Sequence, residues 1–142
     1  MPYRNEQQGA AVVITAENTT LSAAFADAAL AVWDLVVDLD SVKSSEVRSR
    51  VVVEGKNYDE LLANWLKEVL DRGEIDGVVF NEFRVASIQE VNPTQFLLTG
   101  EAWGETPDAA PHAMKRDAKT IVIANAHCSE SDGKAMCTAT IQ

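Results

Sequence analysis

Positive charge is scarce in this chain: 12 Lys and Arg stand against 22 Asp and Glu in 142 residues, a formal charge of −10 with a pI near 4.5. Affinity for nucleic acid rests on neutralising phosphates, so direct binding to RNA or DNA is not expected. An anionic membrane surface would repel the chain for the same reason. No uninterrupted apolar run approaches the ~20 residues of a bilayer span, and residues 1–6 place no apolar segment behind their charge, so they do not read as a secretory signal. The expected location is the cytoplasm. A Gly-rich phosphate loop, a nucleophile elbow and a paired-His zinc helix are all missing, which argues against an enzyme. Histidine occurs only at 112 and 127, and a lone His beside a loop or in a strand is ordinarily a surface or packing residue.

What is present suits one soluble domain over residues 1–142. Hydrophobic residues make up 46% and charged residues 24%, enough apolar surface for a core and enough charge for solubility. The length supports a single core, with no internal repeat or linker. The β-branched run at 9–16 predicts a buried strand. Asn18, Thr19 or Thr20 can cap a helix whose face is Leu21, Phe25, Ala28, Val32 and Leu35. Alternation from Val47 to Glu54 predicts a half-exposed strand. Asn57 with Glu60 makes a capping-box-like pair before Leu61, Leu62, Trp65, Leu66, Val69 and Leu70, a helix expected to stop at Arg72-Gly73. Strands follow: one long or two short over 78–88, another over 96–103, and a hairpin of 120–127 with 134–141 around Asp132-Gly133. The fold class is α+β, with two helices packed on one face of a largely antiparallel sheet.

Two clusters could carry chemistry. Glu105, Asp108 and His112 fall together in one loop, a polar connection that has the residue types to bind a divalent ion. Lys115, Arg116 and Lys119 form a basic group in an otherwise acidic chain, suited to a phosphate or to a partner's carboxylate. The other carboxylates, from Asp38 to Asp76, are spread over helix ends and loops and read as a solvated face. If Asp132 and Gly133 are the turn residues, Cys128 and Cys137 face each other as a non-hydrogen-bonded pair. Disulfide geometry is then within reach, but a reducing compartment favours two reduced thiols acting as small apolar fillers. His127 cannot join them, since neighbouring strand residues point to opposite faces.

Residues 21–38, read as Leu-x-x-x-Phe-x-x-Ala-Ala-Leu-Ala-x-x-x-Leu-x-x-Asp, resemble the first helix of the archease family. Leu61-Leu62-x-x-Trp65-Leu66-Lys67-Glu68-Val69-Leu70 is similar to that family's second helix, and Gly104-Glu105-x-x-Asp108-x-x-x-His112 to its Gly-Glu-x-x-Asp-x-x-x-His loop. The resemblance implies the archease fold and a small accessory protein that helps an RNA-splicing (tRNA) ligase become guanylylated and turn over repeatedly. It also implies a divalent cation such as calcium or magnesium. Here the sequence departs from the family. The His-x-Ala-Asp of the family's first strand falls on Gln8, Gly9, Ala10 and Ala11, and the Asp near its last residue falls at or next to Ile141. The family's Lys-Ala-x-Thr falls on Lys119-Thr120-Ile121-Val122, which keeps only the lysine. Hard cations need several oxygen ligands, so Ala11 and Ile141 remove most of the expected affinity.

The sequence therefore reads as an archease-like accessory protein, not an enzyme, with no working metal site and no cofactor. A second reading keeps the scaffold but binds another protein or a small anion through the Lys115 to Lys119 segment. A small hydrolase using Glu105, Asp108 and His112 ranks last.

Overall fold

The computed structural model describes residues 3–43, 45–106 and 114–142. Seven strands and two helices follow one another as β1 (Tyr3–Gln8), β2 (Ala11–Asn18), α1 (Leu21–Val36), β3 (Val47–Gly55), α2 (Tyr58–Asp76), β4 (Val79–Asn92), β5 (Gln95–Glu105), β6 (Ile123–Ser131) and β7 (Lys134–Ile141). Every strand pairing among them is antiparallel, as expected for this α+β class. The strands divide between two sheets, ordered β1-β2-β7-β6 and β3-β5-β4. Helix α1 packs on β4 of the second sheet and on β2 and β7 of the first, and α2 packs on β3, β5 and β6. Each helix therefore touches both sheets.

Local chemistry sets the helix starts. Thr20 caps α1 by accepting from the Ala23 N–H at 3.1 Å, and Asn57 caps α2 by accepting from the Glu60 N–H at 2.8 Å. The Glu60 carboxylate turns back to the Lys56 N–H at 3.3 Å, which completes the box one residue before the cap. The end of α2 differs from expectation. The helix runs past Gly73 to Asp76, and Gly77 takes the left-handed cap at φ 64°. Gly73 serves a tertiary purpose instead: a Cβ there would lie 2.4 Å from the Trp33 ring of α1, so the glycine lets the two helices close.

Strand β1 has no counterpart in the sequence reading. Tyr3-Arg4-Asn5-Glu6-Gln7-Gln8 is polar and mostly exposed, and only its hairpin with β2, turned by Gly9 at φ 62°, makes it a strand. The terminal hairpin is as expected. Asp132 and Gly133 both have positive φ, 43° and 75°, and Ser131 pairs with Lys134. Of the expected 78–88 stretch, all but Val78 falls in one long strand, β4, whose three register shifts bend it against β5. The start of β6 moves to Ile123 because Ala118–Thr120 forms a 3-10 turn capped by Asp117.

The core runs through the helices. Trp33, Trp65, Phe25 and Phe80 are fully buried. Trp33 meets Phe80 edge-on at 5.3 Å, Phe80 meets Phe83 at 5.8 Å, and Phe83 meets Trp65 at 6.3 Å, linking α1 to α2 through β4. The indole N–H of Trp65 donates to the Phe25 carbonyl at 2.9 Å, so burial of that ring leaves no orphan donor. No helix among the described residues is long and apolar enough to cross a membrane.

Leu62, Trp65, Leu66 and Val69 are wholly inaccessible, as their helical spacing predicts. Leu66→Ala should therefore cost about 2 to 5 kcal/mol in denaturant melts, through lost transfer energy and a residual cavity. Replacing the adjacent exposed Lys67 by Ala should stay within about 0.5 kcal/mol. A second expected outcome concerns alkaline pH. The Tyr3 phenol donates to the Asp34 carboxylate at 3.2 Å. Its pKa is pushed up from 10.0 to about 12, first by burial and then by the Asp34 charge and hydrogen bond. Above pH 10 the folded state keeps this proton while the unfolded chain releases it, so the contribution is whole below pH 10 and is lost as pH rises toward about 12. Denaturant midpoints measured across that window should fall more steeply for the wild type than for Tyr3→Phe.

Candidate functional site

The last turn of α1 contains no basic residue, and its terminal carbonyls must find donors outside the helix. The segment after the 106–113 connection supplies them. The N–H groups of Lys115 and Arg116 both donate to the Val36 carbonyl, at 2.8 and 3.1 Å, while Met114 bridges to Val37. The Lys115 ammonium donates to the Asp34 carbonyl at 2.9 Å and to its carboxylate at 3.3 Å. A cation at a helix C-terminus is favoured by the helix dipole, so the basic segment completes α1.

The other two cations of the segment are also engaged. Arg116 donates from Nη2 to the Gln142 carbonyl at 2.7 Å, beside the backbone pairing of Gln142 with Val122. Lys119 lies 3.8 Å from Glu74 and 3.9 Å from Asp117, with its side chain two-thirds exposed. Lys115, Arg116 and Lys119 thus lie on one short segment, tied respectively to the end of α1, the end of β7 and the end of α2.

Glu105, at the end of β5, is buried, and its carboxylate accepts the Lys43 N–H at 3.0 Å. Gly104 permits this: a Cβ there would fall 1.9 Å from the Val79 carbonyl oxygen, so only glycine lets β4 and β5 approach where the chain delivers Glu105. Asp108 and His112 lie outside the described residues. The Glu105 carboxylate thereby ties the end of β5 to the chain at Lys43.

The two family positions for carboxylates come close together. Ala11 opens β2, Ile141 closes β7, and Val12 pairs with Ile141 in the register between those strands. Their side chains offer a methyl and a branched alkyl group, and Ile141 is fully buried against the core. The Arg116 guanidinium donates to the Gln142 carbonyl, one residue beyond Ile141. Among the described residues no group of three or more His, Cys, Asp or Glu could hold a metal ion. These residues do not fit a hard divalent cation.

A cavity of about 520 Å³ opens beside the basic segment, lined in part by Trp33, Val36, Glu74, Met114, Lys115 and Arg116. Met114 is 56% exposed at its edge. The Trp33 indole nitrogen is buried and has no hydrogen-bond partner among the described residues. Sequence reasoning missed Trp33, Asp34 and Met114. Trp33 lies off the single stripe assigned to α1, and Asp34 becomes informative only when Tyr3 and Lys115 arrive from distant parts of the chain.

His127 lies well outside the cysteine pair, as strand alternation requires, with Nδ1 3.3 Å from the Asp59 carboxylate. Cys128 and Cys137 are register partners with free thiols, and their sulfurs are 4.0 Å apart.

Comparison with known proteins agrees with this architecture. The sequence profile of the Archease protein family (MTH1598/TM1083) matches residues 3–141. The chain is 33% identical over 119 residues to the protein archease of Pyrococcus abyssi, covering 84% of this chain and 82% of that one. It is 31% identical over 133 residues to the protein archease of Aeropyrum pernix, covering 92% and 90%. Among solved structures, the solution structure of Methanobacterium thermoautotrophicum protein 1598 superposes with a TM-score of 0.76 over 99% of this chain and 97% of that one; at 23% identity it speaks for the fold alone. On the extent of the profile match and the identity to these relatives, the chain belongs to the archease family.

Proposed function

We propose that this protein is an archease-type accessory factor that binds an RNA-splicing ligase and promotes its guanylylation and repeated turnover, without a divalent ion at the family's position. The observation that carries this reading is that the family match runs from residue 3 to residue 141, with the helix-end segment at 114–119 presenting exposed cations beside an open cavity. An acidic protein of this kind works through a protein partner rather than by gripping RNA itself. The partner's carboxylates would meet Lys119, the most exposed of the three cations, and its apolar side chains Met114 and the cavity behind it.

Stimulation of ligase guanylylation by the purified chain is the direct test. Added in substoichiometric amounts, it should raise the number of guanylylation cycles per ligase. Lys119→Ala should weaken ligase binding by a few-fold up to about tenfold, corresponding to at most about 1.4 kcal/mol, and high salt should narrow the difference. A ligase that neither binds the chain nor turns over faster with it overturns the reading. Of the second reading, binding of another protein or of a small anion on the same segment, the small-anion branch is disfavoured because Lys115 and Arg116 already serve backbone carbonyls. Calorimetric titration with Ca²⁺, Mg²⁺ or Mn²⁺ should give a dissociation constant no tighter than about 1 mM. Micromolar binding would instead implicate Glu105, Asp108 and His112 as replacement ligands.

A further inference from the structure

The two thiols of the terminal hairpin are placed for more than packing. Cys128 and Cys137 are direct partners across β6 and β7, and the Cys128 N–H turns away from β7 to donate to the Asp59 carboxylate at 2.8 Å. This marks the pair as non-hydrogen-bonded, the closer of the two antiparallel arrangements, with Cα atoms ~4.5 Å apart, at the short end of the ~4.4–6.8 Å that a disulfide spans. The sulfurs are 4.0 Å apart, and closing them to ~2.05 Å needs side-chain rotation with little backbone movement. One contact is given up, the 3.4 Å approach of the Cys128 sulfur to the Tyr58 carbonyl at the start of α2.

We infer that Cys128 and Cys137 form a reversible dithiol–disulfide site that reacts with low-molecular-weight disulfides of the glutathione type. The order of events follows from exposure. Cys128 is partly exposed, whereas Cys137 is wholly buried and cannot meet a bulky reagent. The Cys128 thiolate attacks one sulfur of glutathione disulfide, the S–S bond breaks, and one glutathione thiolate leaves and takes up a proton. Cys137 then attacks the Cys128 sulfur of the mixed disulfide, the second glutathione leaves, and the proton lost by Cys137 ends on it. Two protein thiols are oxidised and one glutathione disulfide is reduced to two thiols. The hydrogen bond with Cys128 and burial both push the Cys137 thiol up, so the partly exposed Cys128 supplies the attacking thiolate of the first step. This site is independent of the ligase reading, since neither cysteine lies on the 114–119 segment.

The experiment incubates the full chain with glutathione disulfide under native conditions and reads intact mass and non-reducing peptide maps. The wild type should lose both thiols, carry no glutathione, and yield a peptide joined at 128 and 137 that excess reduced glutathione reopens. Cys137→Ser should stop at a single glutathione adduct on Cys128. Cys128→Ser should remain unmodified while folded. A wild type that accumulates the Cys128 adduct without closing the bridge overturns the proposal, as does one whose two thiols persist under conditions where Cys137→Ser is modified. Failure of both the wild type and Cys137→Ser to react overturns it too, by showing that Cys128 is no point of attack. The wild-type mass alone decides the matter if a variant fails to fold.

Discussion

The fold depends on burying α1 from more than one side. Leu21, Ala24, Phe25, Ala28, Ala29, Ala31, Val32, Trp33 and Val36 are all buried, a set that covers far more of the helix than a single stripe. A helix apolar around most of its circumference cannot lie on one face of one sheet with its back to water. It must be enclosed, and the two sheets enclose it: β2 and β7 on one side, β4 on another, with α2 alongside. The small residues of α1 let these neighbours come close, while the backbone carbonyl of Phe25 takes the Trp65 N–H and the Trp33 ring fills the space left at Gly73. Enclosure also creates a demand at the helix end, where the Val36 carbonyl would be left unpaired in a protein interior. The amides of Lys115 and Arg116 meet that demand, so core burial and the placement of the basic segment are one problem.

Much of this was legible in the sequence, and the parts that were not share a cause. Periodicity located α1 and α2, caps located their starts, and Asp132-Gly133 located the hairpin register because these signals act within a few residues. Gly73 misled because a glycine late in a helix reads as a stop, whereas its role depends on Trp33 forty residues away. Strand β1 was invisible because an edge strand with polar residues on both faces has no hydrophobic alternation; it is held by its hairpin, by the Tyr3 bond to Asp34, and by Asn5 reaching the Ala31 carbonyl at 3.3 Å. The division into two sheets was invisible for the same reason, since pairings such as β2 with β7 join residues more than a hundred positions apart.

The candidate site shows the same split between residue type and circumstance. Residue types set Lys115, Arg116 and Lys119 apart in an acidic chain, but composition could not reveal that Lys115 and Arg116 complete the ends of α1 and β7. Glu105 read from its residue type as a polar loop group able to join a divalent ion; in the fold it is buried at the end of β5 and accepts the Lys43 amide. Where the sequence resemblance would place oxygen ligands, at Ala11 and Ile141, the junction of β2 and β7 presents a methyl group and a fully buried branched alkyl chain.

Edge protection is built into the four-stranded sheet. A sheet edge with free amides invites pairing with any extended chain. On β6 the first turn of α2 covers the strand, and Asp59 takes the Cys128 amide while standing beside His127. On β1, the opposite edge of the same sheet, Arg4 and Glu6 form an exposed ion pair at 3.1 Å, a charged fringe that discourages edge-to-edge pairing. With both edges of that sheet guarded, pairing with an extended chain is discouraged on that side of the fold. The segment 114–119 lies apart from those edges: its amides complete α1, and α1 in turn is packed on by β2, β4, β7 and α2.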